Sequence, residues 1–180
     1  GILGIPEGEM ASLRQREIAL IPQGALNSFT PVMTIGRHLR EVLELHLGLK
    51  GEAAERRITE LLAEVELPPE IAARYPHELS GGQKQRAAIA IALSCEPKLV
   101  LADEPTTALD VITQAAILRL LERLRREKNL TILLVTHDLP LAASVCGKLF
   151  VMKDGKLIES GTPRQLIDSP REAHTRALIA

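Results

Sequence analysis

The chain has 180 residues, 46% of them hydrophobic, and its 22 basic residues nearly balance its 23 acidic ones. This charge balance, with only two Phe, one Tyr and no Trp, argues against nucleic acid as the main partner, because binding phosphates needs a basic surface and stacking bases needs aromatic side chains. No apolar run approaches the roughly 18 residues of a membrane span and no signal peptide is recognisable, so we expect any membrane role to be peripheral.

The first half of the chain predicts a strand followed by a helical block. Residues 17–21 read as a short strand that ends before Pro22. From Gly36 to Tyr75 the pattern is helical, interrupted at Pro68-Pro69 and closed by Pro76. Its apolar residues recur at helical spacing, with Glu and Arg between them: Ala54, Ile58, Leu61, Leu62 and Val65. We interpret this block as an all-helical insertion.

The second half alternates strands and helices, which predicts an α/β fold with a parallel sheet. Two apolar runs, 98–102 and 131–135, read as strands buried on both faces. Helices are expected at 87–93, 111–128 and 139–145, a hairpin turning at Asp154-Gly155 with strands 149–152 and 156–158, and a terminal pair of short helices from Thr162. Cys95 and Cys146, both in apolar helical patterns, are expected to be buried, reduced thiols of a cytosolic protein.

The segment from Leu79 to Gln83 carries the strongest chemical signal. Ser80 followed three residues later by Gln83 forms a capping box, which marks the start of a helix. Gly81 and Gly82 would let a backbone or phosphate approach the first turn, where free N–H groups and the positive dipole end favour an anion. Taken alone, the segment favours a plain helix cap with flexible glycines, and only the segments that follow favour an anion site.

Acidic, amide and imidazole side chains follow three of the predicted strands. Asp103 and Glu104 end the strand at 98–102, where the first acid can hold Mg²⁺ and the second can orient or deprotonate a water. His137 follows the next strand and can hydrogen-bond a terminal phosphate near these carboxylates. Gln23 follows the first strand and can reach a metal or a water. Each residue alone also has a structural reading, as a helix cap or a plain loop residue.

In this order the pieces resemble the ATP-binding cassette (ABC) family over essentially the whole chain. Leu79–Gln83 resembles its signature sequence and residues 108–110 its D-loop. The resemblance implies that ATP and Mg²⁺ are the cofactors, that Gln23, Glu104 and His137 are catalytic, and that Asp103 and Gln23 hold the metal. The residues it implies for nucleotide contact are Ser80, Gly81, Gly82, Gln83 and Asp110.

The fold implied is a P-loop NTPase-like parallel sheet with a helical ABC subdomain. We expect four parts: the Q-loop region of the α/β core at 1–35, the helical subdomain at 36–78, a core part carrying the signature, Walker B strand, D-loop and switch histidine at 79–161, and a helical tail at 162–180. Implied partners are a second ABC subunit, transmembrane permease subunits docking near Gln23 and the helical subdomain, and indirectly a solute-binding protein.

Three stretches narrow the resemblance to the cassettes of oligopeptide, dipeptide and nickel importers: 102–111, 27–36 and 169–178. The last departs from that group's usual Pro-His-Pro-Tyr-Thr pattern. The implied location is cytoplasmic, peripheral on the inner face of the cell membrane. Two alternatives stay open, a soluble ABC ATPase without a transport role and a non-catalytic interaction module.

No stretch of the sequence matches the phosphate-binding motif G-x-x-x-x-G-K-[ST], since both Gly-Lys pairs, at Gly147 and Gly155, are followed by Leu. Together with the start at Gly1 without an initiator Met, this suggests a fragment of a working ATPase, with the P-loop and first strands of the sheet missing. We therefore expect the 180 residues alone to bind ATP poorly and to lack ATPase activity.

Overall fold

The computed structural model describes residues 4–24 and 28–179, and the side chain of Ser12 is not described. Gly1 and Asn27, both used in the sequence analysis, lie outside the described residues. The chain divides into two compact units, Gly1–Leu133 and Leu134–Ala180. The four-part division expected from the sequence stays a prediction.

The first unit combines most of the helices with the sheet. In chain order its elements are α1 (Glu7–Leu13), β1 (Ile18–Ile21), α2 (Ile35–Leu47), α3 (Gly51–Glu64), 3-10 turns at Pro69–Ala73 and Pro76–Glu78, α4 (Gly81–Leu93), β2 (Leu99–Asp103) and α5 (Val111–Glu127). β3 (Thr131–Val135) begins in this unit and ends in the second. Helix α1 was not predicted from the sequence.

The helical block at 36–75 folds as predicted, because its apolar stripe is almost completely buried. Ala54, Ile58, Leu61, Leu62 and Val65 are at most 1% exposed. Thr34 begins α2 by accepting a hydrogen bond from the Arg37 N–H, and Gly48 ends it in the left-handed conformation that favours glycine.

Strands β1 and β2 are parallel neighbours, with Ile18 opposite Leu99 and Ile21 opposite Ala102, and the strand order is β1-β2-β3. The predicted parallel sheet is confirmed. The expectation that β2 and β3 are buried on both faces is wrong. β2 alternates between buried and partly exposed side chains, and Leu133 and Val135 of β3 are about half exposed, at 49% and 50%. A continuous apolar run does not encode which elements cover its two faces.

The second unit begins within β3 and continues with α6 (Leu139–Val145), an antiparallel hairpin of β4 (Leu149–Lys153) and β5 (Lys156–Gly161), and the short helices α7 (Pro163–Asp168) and α8 (Ala173–Ile179). The predicted hairpin turn is confirmed, with Asp154 and Gly155 both at positive φ. Its core comprises Leu139, Ala142, Leu149, Val151 and Leu166.

The two cysteines are not joined in a disulfide, and Cys95 is buried whereas Cys146 is partly exposed. Burial was therefore expected correctly for Cys95 alone. Among the described residues, no helix has the length and apolar character needed to cross a membrane.

Candidate functional site

The register of β1 and β2 brings two of the predicted site segments to one edge of the sheet. Because Ile21 lies opposite Ala102, the residues that follow each strand emerge side by side at its carboxyl end. These are Gln23 after β1 and Asp103 and Glu104 at the end of β2. Backbone strain marks the same point, since Glu104 has a φ of 44°, a conformation uncommon for a residue with a side chain.

The Glu104 carboxylate is held by two side chains. Its Oε2 atom accepts a hydrogen bond from Gln23 Nε2 at 3.0 Å and another from Thr107 Oγ1 at 2.8 Å. The Thr107 backbone N–H also donates to the Glu104 carbonyl, at 3.2 Å. Sequence reasoning predicted Gln23 and Glu104 but missed Thr107. The available signal was a threonine three residues after an acid, a spacing that brings hydroxyl and carboxylate together in a turn.

Magnesium is the metal that the sequence predicted here. The carboxylate of Asp103 and the amide oxygen of Gln23 are hard oxygen donors of the kind Mg²⁺ accepts, and Mg²⁺ takes few protein ligands because it keeps several waters. The donor set fits this ion. The described residues contain no group of three or more His, Cys, Asp or Glu side chains arranged to enclose a metal.

The predicted capping box at the start of α4 is present in full. The Gln83 N–H donates to Ser80 Oγ at 3.3 Å, and the Ser80 N–H donates to Gln83 Oε1 at 3.0 Å. Ser80 is exposed and the residues of the first turn of α4, 81–84, are partly exposed, so the N–H groups that the capping box leaves over lie near the surface. This arrangement suits an anion at the helix N-terminus.

Asp110 caps α5 as Ser80 caps α4. Its Oδ1 accepts the Thr113 N–H at 2.9 Å, and its Oδ2 accepts the Thr113 hydroxyl at 2.6 Å. These hydrogen bonds, that of the hydroxyl foremost, hold the pKa of the Asp110 carboxyl below its usual range. Asp110 is therefore a carboxylate fixed by its own helix.

The two helix starts are in contact within this chain. A Cβ atom at Gly81 would lie 3.1 Å from Leu109 Cδ2, and one at Gly82 would lie 2.8 Å from Thr113 Cγ2. The sequence predicts that the two glycines let a backbone or a phosphate come close to the first turn of α4. The structure shows in addition that the segment leading into α5 already occupies the space beside them.

His137 is exposed and lies in the second unit, between β3 and the Asp138 that caps α6. The Asp138 carboxylate accepts the Leu141 N–H at 2.8 Å. That His137 meets the carboxylates of β2 remains a prediction.

A groove of about 330 Å³ lies in the first unit beside β1, α2 and α4. Its wall is mainly apolar: Leu20, Phe29, Val42, Leu45, Ala88 and Ile91. His38 fixes the segment that follows Gln23 against α2, because its Nε2 accepts the Thr30 N–H at 3.0 Å and its Nδ1 lies 2.9 Å from the Thr34 carbonyl oxygen. The Phe29 ring packs edge-on against His38, with ring centroids 5.4 Å apart.

Comparison with known proteins gives one consistent answer. The family model described as ABC transporter matches residues 5–107. The oligopeptide transport ATP-binding protein OppD of Salmonella typhimurium is 45% identical over 99% of this chain and 54% of its own length. The peptidoglycan transport ATP-binding protein YejF of Agrobacterium fabrum is 44% identical over 99% of this chain and 33% of its own length.

The solved structures that this chain resembles also include ABC proteins. A dimeric, post-hydrolysis structure of the ATP-binding cassette MJ0796 bound to ADP and Pi matches with a TM-score of 0.77 and 33% identity, covering 89% of this chain and 69% of that one. CbiO1 of Clostridium perfringens, part of the transporter complex CbiONQ, matches with a TM-score of 0.77 and 28% identity, covering 86% of this chain and 61% of that one. The chain spans a third to about half of the length of the two curated relatives named above.

Proposed function

Because the chain belongs to the ABC transporter family, we propose that it is part of the ATP-binding, energy-coupling subunit of an importer, and that the full-length protein hydrolyses ATP to drive transport. The observation that carries this proposal is the pairing of Gln23 with Glu104 at the carboxyl edge of the β1–β2 pair. The pairing joins an amide and a carboxylate from two strands at the place where open α/β sheets bind their ligands.

The residues at this edge have the chemistry that phosphoryl transfer to water requires. Glu104 orients or deprotonates the attacking water. His137, which belongs to the second unit, would donate a hydrogen bond to the terminal phosphate, as the sequence predicts. Asp103 and Gln23 would hold Mg²⁺, which neutralises charge on the phosphates when it is bound. Positioning of this kind supplies most of the catalysis in phosphoryl transfer.

The proposed transported solute is a peptide, either an oligopeptide or a dipeptide, in preference to the nickel that the sequence resemblance also allows. Support comes from the names of OppD and of the putative peptide import ATP-binding protein of Brucella melitensis, which is 42% identical over 95% of this chain and 52% of its own length. The solute-binding protein and the permease would select the peptide, since the roles proposed for the site residues here concern the nucleotide.

The Glu104→Gln substitution in the full-length protein tests the catalytic assignment. The amide has the shape of the carboxylate but cannot accept a proton, so turnover should fall by about 10²- to 10⁴-fold while ATP affinity is kept. Steady-state ATPase rates and calorimetric titration with Mg-ATP measure the two quantities. A variant that hydrolyses ATP at nearly the wild-type rate would remove Glu104 from the mechanism.

A second cassette is the proposed partner at the start of α4. Ser80, Gly81 and Gly82 would contact the ATP held by the opposite subunit, with Gln83 and Asp110 beside them. Ser80→Arg would remove the capping oxygen and place a bulky side chain where the phosphate approaches, and should abolish the ATP-dependent dimer of the Glu104→Gln protein on gel filtration. Ser80→Thr keeps the capping oxygen and should still dimerise. An unchanged dimer with Ser80→Arg would exclude the contact.

The apolar groove beside α2 is the proposed docking surface for a transmembrane permease subunit, which would hold the protein at the cytoplasmic face of the membrane. Leu45 lines the groove and is 78% exposed. Leu45→Asp should reduce co-purification with the permease. Leu157→Asp is the matched control, because Leu157 is 62% exposed and does not line the groove. Equal loss with both variants, or with neither, would contradict the assignment. Either of these results would favour a soluble ATPase or an interaction module.

A further inference from the structure

We propose that Thr113 is a positioning residue that locks the start of α4 to the start of α5, so that the signature residue Ser80 and the D-loop residue Asp110 are held as one unit within a subunit. The inference deepens the proposed function and rests on it, since Ser80 and Asp110 matter only if this face meets a nucleotide. It also assigns the smallness of Gly82 to a contact inside the chain.

The first observation is the closeness of the two helix starts. A methyl group at Gly82 would lie 2.8 Å from Thr113 Cγ2, a distance that carbon atoms do not adopt without movement. A methyl group at Gly81 would lie 3.1 Å from Leu109 Cδ2, which is also tight. Glycine therefore lets the first turn of α4 rest directly on α5 and on the residue before its cap.

The second observation is that both branches of the Thr113 side chain make a contact, one by packing and one by a hydrogen bond. Its methyl group faces Gly82, and its hydroxyl donates to Asp110 Oδ2 at 2.6 Å. A β-branched side chain has few rotamers, so both contacts constrain one χ1 angle. Any shift of the α4 start is therefore passed to the carboxylate that caps α5.

The segment before α5 has little freedom to absorb such a shift. Gln114 Nε2 donates to the Thr106 carbonyl at 3.2 Å, and the Leu109 N–H donates to the same oxygen at 3.3 Å. Ala108 lies at a φ of 65° within this turn. Thr106 is itself buried, at 6% exposure. The turn before α5 is thus hydrogen-bonded to that helix at two places, Thr106 to Gln114 and Asp110 to Thr113.

Two explanations of Gly82 make opposite predictions. If a phosphate needs the space, then Gly82→Ala impairs the protein whatever residue occupies position 113. If Thr113 needs the space, then removing its methyl group repairs Gly82→Ala. Serine lacks that methyl group and keeps the hydroxyl bond to Asp110, whereas valine keeps the methyl group and lacks the hydroxyl.

The experiment compares Gly82→Ala, Gly82→Ala with Thr113→Ser, and Gly82→Ala with Thr113→Val, all in the full-length protein. Gly82→Ala should lower Tm by about 2–4 °C and ATP turnover by about tenfold. The double variant with serine should recover wild-type Tm and should turn over ATP at least about threefold faster than Gly82→Ala, because only the clash inside the chain is relieved, and the double variant with valine should recover neither. Thermal unfolding, steady-state ATPase rates and the ATP-dependent dimer of the corresponding Glu104→Gln proteins are measured.

The outcomes separate this inference from the proposed function. Wild-type protein without ATPase activity would overturn the proposed function, whatever the Tm values. Active wild-type protein in which serine fails to restore Tm would overturn the packing contact. If the double variant with serine recovers Tm but turns over ATP no faster than Gly82→Ala, the phosphate needs the space at Gly82 and the positioning role of Thr113 is overturned.

Discussion

The Glu104 carboxylate depends on two side chains that reach it from different distances along the chain. Thr107 is three residues away, and Gln23 is 81 residues away on another strand. Both donate to the same oxygen atom, Oε2, which fixes the direction of the carboxylate. A general base, the role proposed for Glu104, acts only when its lone pair is aimed at the proton it takes, so Thr107 would affect the rate by aiming the carboxylate.

Thr107→Val should therefore lower turnover while leaving ATP affinity nearly unchanged. A roughly fivefold fall in kcat follows if the hydrogen bond is about 1 kcal/mol stronger in the transition state than in the bound ground state. Thr107→Ser keeps the hydroxyl and should retain most of the activity. Rates and Mg-ATP titrations on the full-length protein measure the effect, and equal activity of the valine and serine variants would show that the hydroxyl does not aim Glu104.

At the scale of elements, the end of α3 is joined to two other helices by charge. Arg86 of α4 donates to the Val65 carbonyl at 3.0 Å, and Arg123 of α5 donates to the Glu64 carbonyl at 2.8 Å. Both arginines also reach the carboxylate of Glu66, at 2.6 Å and 3.2 Å. Cations at a helix C-terminus satisfy its last carbonyls and oppose its dipole. The helical block is thereby tied to the helices that begin at the signature and at the D-loop.

The ion pairs of Glu66 with Arg86 and Arg123 should weaken in acid. The Arg86 hydrogen bond, with the charges of both arginines, holds the pKa of Glu66 below its usual range. A carboxyl with a lowered folded-state pKa stabilises the fold above its ordinary pKa, and this contribution is lost as the pH falls through the lowered value. Glu66→Gln should therefore lower the free energy of unfolding at pH 7 but have less effect below the ordinary glutamate range.

The expected loss at pH 7 is about 0.5 kcal/mol, because solvent screens a pair whose Glu66 side chain is 53% exposed. Urea unfolding at neutral and acidic pH measures it. Glu41→Gln is the control, since Glu41 pairs with Arg37 on the surface of a single helix and is 58% exposed. If Glu66→Gln lowers the free energy of unfolding equally at both pH values, then the ionised Glu66 carboxylate does not stabilise the contact between these helices.

At the scale of the whole molecule, the proposed nucleotide-contacting groups come from separate stretches around Gln23, Ser80, Glu104 and His137. The role proposed for these groups is to orient a terminal phosphate, but most binding energy for a nucleotide comes from a phosphate cradle and its lysine. No segment of the 180 residues matches that motif. Residues 1–180 by themselves should bind Mg-ATP no more tightly than about 1 mM, with no measurable hydrolysis.

Calorimetric titration of Mg-ATP into residues 1–180 and into the full-length protein checks this expectation. The full-length protein serves as the positive control for ATP binding. Binding by residues 1–180 alone with a Kd of about 1 μM would show that the groups described here hold the nucleotide without a phosphate cradle.

The sequence by itself determined the features that depend on neighbouring residues. The helical block, the capping box at Ser80 and Gln83, the hairpin turn at Asp154-Gly155 and the family were all predicted correctly. The three structural features rest on hydrogen bonds or apolar spacing within a few residues, which a single sequence carries directly, whereas the family was indicated by a resemblance that extends along the whole chain.

Only the tertiary structure decided which distant residues meet. The parallel register of β1 and β2 places Gln23 on Glu104, and the packing of α4 on α5 places Thr113 against Gly82. The half-exposed face of β3 was likewise not encoded in its apolar run. These contacts depend on strand register and helix packing, which are set by the whole core. No short pattern around Glu104 or Gly82 specifies them, because side chains far apart in sequence share no local hydrogen bond or spacing before the chain has folded.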